Sequence, residues 1–179
     1  VSFPDFLRTF FGRQRAGALG AGGVAPQIAL RGLDGESHSL AEALQRGPLL
    51  VVFFKVSCPT CRFTFPFLER IYESYGRGKL SFWAISQNDA QDTREFLDKF
   101  GVKFPALLDD AGYPASNAYG LTNVPTLFLI APDGKIQMSS VGFAKADIEK
   151  IAAEAARAAG QAASSIFRPD ESVPQYKPG

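Results

Sequence analysis

Leu49-Leu50-Val51-Val52-Phe53-Phe54-Lys55-Val56-Ser57-Cys58-Pro59-Thr60-Cys61 decides how the rest of this chain is read. Leu49 to Phe54 is a continuous apolar run, the pattern of a central strand covered on both faces. Pro59 suits the first position of a helix, where its missing N–H would be unpaired anyway. From Pro59 to Tyr75 the residues Phe63, Phe67, Leu68, Ile71 and Tyr75 fall on one helical stripe. A buried strand therefore feeds directly into a helix, with Cys58 at the junction. Unpaired N–H groups and partial positive charge at a helix start favour thiolate over thiol. Cys61 lies one turn further on the same side, inside the helix. A disulfide between the two is reachable at this spacing.

Working outward, Ile28–Arg31 and Ser37–Leu40 flank a turn at Asp34-Gly35, a hairpin signal. A short helix is expected over Leu40–Leu44 and a second buried strand over Leu80–Ile85. Asp89 to Phe100 reads as a helix closed by Gly101. Pro105–Leu108 is a short extended piece and Ala115–Tyr119 a short helix. Thr126–Ile130 and Ile136–Val141 are strands joined at Asp133-Gly134, followed by an Ala-rich helix over Ala144–Ala159. Strands alternating with helices, then a closing hairpin and helix, imply an α/β/α sandwich: a central mixed β-sheet flanked by helices, with an N-terminal hairpin extension.

The expected organisation is an N-terminal segment over 1–23, a domain over 24–160 and a tail over 161–179. Phe3, Phe6, Leu7, Phe10 and Phe11 share a helical face, with Arg8, Arg13 and Arg15 among them. A helix docked on the domain is the expectation, and contact with a membrane surface the alternative. Gly17 to Gly23 reads as a flexible linker. The tail from Arg168, with its prolines, is expected to be irregular. Because the sequence starts at Val1, a trimmed or mature form is expected, and exported and cytoplasmic placements both stay open.

Composition removes several functions. Lys and Arg number 19 against 18 Asp and Glu, which gives no electrostatic reason to propose nucleic acid as a partner. There is no apolar run long enough to span a bilayer. The two cysteines are too close to be a disulfide framework, and with His38 as the sole histidine they cannot build a four-ligand zinc site. Arg62 after Cys61 excludes the haem-attachment pattern. No metal and no cofactor is expected beyond the Cys58–Cys61 disulfide. His38 near a turn is read as a surface residue and Trp83 as core.

From Ala25 to Ala159 the chain resembles the thioredoxin-like superfamily, and within it the TlpA-like and redoxin branch related to AhpC/TSA proteins. The resemblance rests on Cys58-Pro59-Thr60-Cys61, Phe65-Pro66, Phe104-Pro105 with Asp109, Val124-Pro125-Thr126 before Phe128-Leu129-Ile130, and Pro132-Asp133-Gly134-Lys135. It implies Cys58 as nucleophile and Cys61 as resolving thiol. It also implies a cis Val124–Pro125 bond facing the disulfide, with Pro59, Thr60, Val124 and Pro125 bordering the substrate. Two positions depart from the family. Val52 stands where thioredoxin has a buried Asp, and Thr64 where the cytochrome-maturation branch has a Glu. Neither residue supplies the carboxylate that the family resemblance assigns to moving the buried cysteine's proton. Lys55 and Thr64 are carried as candidate modulators, with a solvated strand-end lysine the plainer reading of Lys55.

The leading reading is a thiol–disulfide oxidoreductase acting on a protein or small disulfide, with an upstream reductant, as a monomer. Neutral Thr60 between the cysteines points to an intermediate to reducing potential. A peroxiredoxin-like thiol peroxidase is the enzyme alternative. Its P-x-x-x-T-x-x-C pattern would need Pro and Thr where this chain has Val51 and Lys55. A non-catalytic redox-sensing interaction module is the third, and repeated turnover would separate it from an enzyme.

Overall fold

The computed structural model describes residues 17–179. In chain order its elements are β1 (Ala29–Gly32), β2 (Ser37–Ser39), α1 (Leu40–Leu44), β3 (Leu49–Phe54), α2 (Pro59–Tyr75), β4 (Ser81–Ser86) and α3 (Ala90–Phe100). Then come β5 (Ala106–Leu108), α4 (Pro114–Ala118), β6 (Thr126–Ile130), β7 (Ile136–Val141), β8 (Phe143–Ala144), α5 (Lys145–Ala158) and β9 (Tyr176–Lys177). The main sheet has the order β2-β1-β5-β4-β3-β6-β7. β3 runs parallel to β4 and antiparallel to β6, so the sheet is mixed. The hairpin β1–β2 joins the edge through β5.

All of β3 is buried, and its alternation divides the protein into two cores. Leu50, Val52 and Phe54 face the apolar layer shared with α2, α3 and α5, where Phe65, Phe96 and Phe104 also lie. Leu49, Val51 and Phe53 face the layer shared with α1 and α4, together with Tyr119 and Phe128. The many phenylalanines sit mainly in the first layer: Phe54, Phe65 and Phe96 pack with ring centroids 4.6 to 5.1 Å apart. Helix ends follow local chemistry. Asp89 caps α3 by accepting the Asp92 N–H at 2.9 Å, and Gly101 ends it at φ 64°.

Three expectations need revision. Residues 17–23 are not a free linker. Leu19 N–H donates to Tyr119 O, Gly22 N–H to Ile136 O and Ile136 N–H to Gly23 O. Ala18 and Leu19 pack on the second core. Second, the tail is docked. Ile166 and Phe167 are buried, Phe167 with its ring 5.0 Å from that of Phe67, and residues beyond them form β9 against β8. Arg70 on α2 holds this segment through Ile166 O and a two-pronged ion pair with Glu171. Third, His38 is half-buried, bonded to Asp34 at 2.8 Å and edge-on to Trp83. The expected Phe-rich helix over 1–16 lies outside the described residues.

The Arg70 guanidinium holds the Glu171 carboxyl down to about 2 from 4.5. A folded value below the unfolded one gives stability that is present above about pH 4.5 and lost as the pH falls towards 2. The stability difference between wild type and Glu171→Gln, measured by urea unfolding, should be present at pH 6 and vanish by about pH 2. A constant difference over that range would sever the ion pair from tail docking.

Candidate active site

β3 ends at Phe54, and the chain turns through Lys55–Ser57 into α2. Both polar groups of Val56 are held in this turn. Its N–H donates to Asn88 Oδ1 at 3.1 Å, and its C=O accepts from Arg62 Nε at 2.9 Å. Cys58 N–H donates to Lys55 O at 3.1 Å. Cys58 is then the N-cap of α2, with Pro59 opening the helix. Its sulfur accepts the Cys61 N–H at 3.1 Å, one of the donors a helix start leaves unpaired.

The two sulfurs have different surroundings. Both are free thiols; Cys58 is half-buried and Cys61 fully buried. Burial, and after it a hydrogen bond with Cys58, pushes the Cys61 thiol far above its ordinary range. Val52 lies in the same apolar cluster as Cys61. Thr64 is also buried and donates its hydroxyl to Thr60 O at 2.7 Å, back along its own helix. Neither supplies a carboxylate to take the proton. Lys55 is exposed and offers the site its carbonyl.

The loop before β6 forms the facing wall. Val124–Pro125 is cis, and the Cys58 S–H donates to Val124 O at 3.2 Å. Thr126 Oγ1 donates to Asn123 O at 2.7 Å and ties this turn to the first residue of β6. Pro59 is exposed beside Cys58, whereas Thr60 is buried and donates its hydroxyl to Pro178 O at 2.6 Å. The sequence-derived residues Cys58, Pro59, Thr60, Cys61, Val124 and Pro125 thus meet at one end of the sheet. Asn88, Asn123 and the 176–179 segment were not legible as site residues. Their contacts join residues 32 to 118 positions apart, and no local motif marks them. Among the described residues no group of His, Cys, Asp or Glu is arranged to hold a metal ion.

Two thiols arranged this way, one accessible and one buried behind it, can exchange with an outside disulfide and close on each other. With this sheet order they place the protein in the thioredoxin-like class of thiol–disulfide oxidoreductases. Comparison with known proteins agrees. The chain is 29% identical over 135 residues to the thiol-disulfide oxidoreductase ResA of Geobacillus thermodenitrificans, covering 74% of this chain and 76% of that one. It is 33% identical over 117 residues to ResA of Halalkalibacterium halodurans, covering 65% of each. Among solved structures, a protein described as the thiol:disulfide interchange protein DsbE of Chlorobium tepidum superposes with a TM-score of 0.68 at 28% identity, over 79% of this chain and 99% of that one. The Redoxin family model matches residues 20–156, and the chain belongs to the Redoxin family.

Differential burial predicts differential reactivity. Iodoacetamide at pH 8 should label Cys58 at least about tenfold faster than Cys61, because the thiolate is the reacting form and Cys61 is held protonated. Mass spectrometry of partially labelled reduced protein would read the order. Equal labelling, or Cys61 first, would reverse the assignment of the two thiols.

Proposed function

We propose that this protein reduces disulfides, with Cys58 as the attacking thiol and Cys61 as the resolving one. The observation that carries this reading is the half-buried Cys58 sulfur at the start of α2, with a fully buried Cys61 one turn behind it. In the first step the Cys58 thiolate attacks a substrate disulfide. A Cys58–substrate disulfide forms, the substrate S–S bond breaks, and one substrate thiolate leaves and takes up a proton. In the second step Cys61 gives up its proton and attacks the Cys58 sulfur. The Cys58–Cys61 disulfide forms and the second substrate thiol is released. Two electrons have passed to the substrate, and an upstream dithiol restores the reduced pair.

Direction follows from what surrounds the pair. A strong oxidant of this class stabilises its reduced form. Here the residues between the cysteines are Pro59 and Thr60, which bring no charge, and against the Cys61 N–H donated to the Cys58 sulfur stands the Val124 carbonyl oxygen, which does not stabilise an anion. These features support the reducing direction. The redox group in this reading is the Cys58–Cys61 pair itself. The substrate class is a disulfide with a sulfur able to approach Cys58 from the open side of the Val124–Pro125 loop.

The test is trapping and turnover. With dithiothreitol as reductant, wild type should reduce a model disulfide repeatedly, and Cys58→Ser should fall to background. Cys61→Ser should retain attack but accumulate mixed disulfides that reducing gels resolve. A protein that fails to turn over would be a sensor. Peroxide oxidation of Cys58 orders of magnitude faster than that of an ordinary reactive thiol, with no mixed disulfide trapped, would replace the reductase reading with a peroxidase.

A further inference from the structure

The last stretch of the chain lies across the site. β9 pairs antiparallel with β8, and Lys145 N–H donates to Gln175 O at 2.9 Å. Beyond β9, Pro178 O accepts the Thr60 hydroxyl at 2.6 Å and Gly179 O accepts from Asn123 Nδ2 at 3.2 Å. The Lys177 ammonium lies 5.1 Å from the centre of the Phe63 ring. Gly179 approaches Val124 so closely that a Cβ there would stand 2.7 Å from Val124 O, a distance a side chain does not tolerate. That carbonyl also accepts the Cys58 S–H. Residues 175–179 therefore run from the β8 edge, over the residue between the cysteines, to the wall facing Cys58.

What holds this stretch differs from what holds the tail before it. Ile166 and Phe167 are buried in the core, but Tyr176 is 55% exposed, and Pro178 and Gly179 are also exposed. Apart from the Lys177 contact, the attachments are made by the segment's main chain. An extended peptide can reproduce such main-chain bonds where a glycine stands against Val124, and a short two-stranded pair has marginal stability of its own. The segment's advantage over a competitor is its tether, which gives it an effective concentration of roughly millimolar order. Cys58 itself stays half-buried under this arrangement, so a small molecule still has access.

We propose that residues 175–179 form a specificity-determining strap. It fills the main-chain docking positions at Thr60, Asn123 and Val124 that an extended segment flanking a substrate disulfide would use. Protein disulfides in extended segments must displace it, whereas small disulfides reach Cys58 beside it. The inference rests on Cys58 being the attacking thiol.

The experiment compares the full chain with a chain ending at Pro174, which keeps Phe167 and the Arg70–Glu171 pair. Insulin serves as the extended protein disulfide, bis(2-hydroxyethyl) disulfide as the small one, and dithiothreitol as reductant. Removing the strap should lower KM for insulin about tenfold with kcat unchanged, and leave the small disulfide within twofold. A synthetic peptide of the sequence of residues 172–179 should bind the shortened chain, by intrinsic fluorescence or NMR, at least tenfold more tightly than the full chain, and raise its KM for insulin again. The full-length Lys177→Pro protein, which loses an N–H and the cation over Phe63, should shift the same way and guards against misfolding of the shortened chain. Unchanged insulin kinetics in both variants, or equal peptide binding by full and shortened chains, overturns the strap. If no variant reduces either disulfide, the reductase reading fails, and peptide binding alone still decides whether the strap competes for this groove.

Discussion

Complete burial of β3 on both faces is the constraint from which the site follows. Each of its large apolar side chains gains about 1.5–3 kcal/mol from leaving water, and the gain is divided between two cores that α2 and α1 cannot both reach unless β3 lies between them. The strand is pinned in register by β4 on one side and β6 on the other. The end of β3 thereby fixes where α2 can begin, and hence where Cys58 sits. β6 adds the second half of the site by the same means. Phe53 pairs with Thr126, so the turn containing Val124–Pro125 is delivered to the end of β3, beside the cysteines.

The turn between strand and helix is where packing gives way to hydrogen bonding. Val56 has lost its ladder partners, and both of its backbone groups are taken up by side chains, Asn88 from the end of β4 and Arg62 from α2. Backbone groups left without such partners would cost free energy comparable to a lost hydrogen bond each. Asn88 is itself fixed, its N–H donating to Ser86 Oγ, which also accepts the Thr93 hydroxyl. The loop that carries Cys58 is therefore held from below by the adjacent strand and from the side by its own helix.

How far the sequence revealed this depends on how local each signal is. The limits of β3, α2, β6 and β7 follow from runs and periodicities contained in the elements themselves, and the Cys pair from its own spacing. Asp34-Gly35 and Asp133-Gly134 are turns because glycine at φ 86° and 85° suits them. Contacts between distant parts of the chain were not legible. The Gly-rich stretch before Val24 has linker composition, yet its backbone pairs with Ile136 and its Leu19 finds an apolar layer. The tail looked irregular because its prolines forbid long elements. Two residues suffice for a strand when β8 offers an edge, and Phe167 finds a place beside Phe67 that no local pattern discloses. Tertiary partners decided these segments, and a single sequence does not name partners.

The absence of carboxylates at Val52 and Thr64 raises the question of how Cys61 ionises when it is needed. Burial is the main cause of its raised pKa, but the next is its hydrogen bond with Cys58, and the charge on Cys58 adds to both. Those two contributions belong to the reduced pair only. Once Cys58 is joined to a substrate sulfur, it carries no charge and is a poorer acceptor, so the Cys61 proton loses the interactions that retained it while the burial contribution remains. Cys61 is then easier to ionise in the mixed disulfide than in the resting protein, which is the state in which its attack is wanted. The departing substrate thiolate is the base that the proposed reaction itself supplies for this proton. In the proposed reaction, the electrostatics of the pair thus favour ionisation of Cys61 after Cys58 has reacted rather than before.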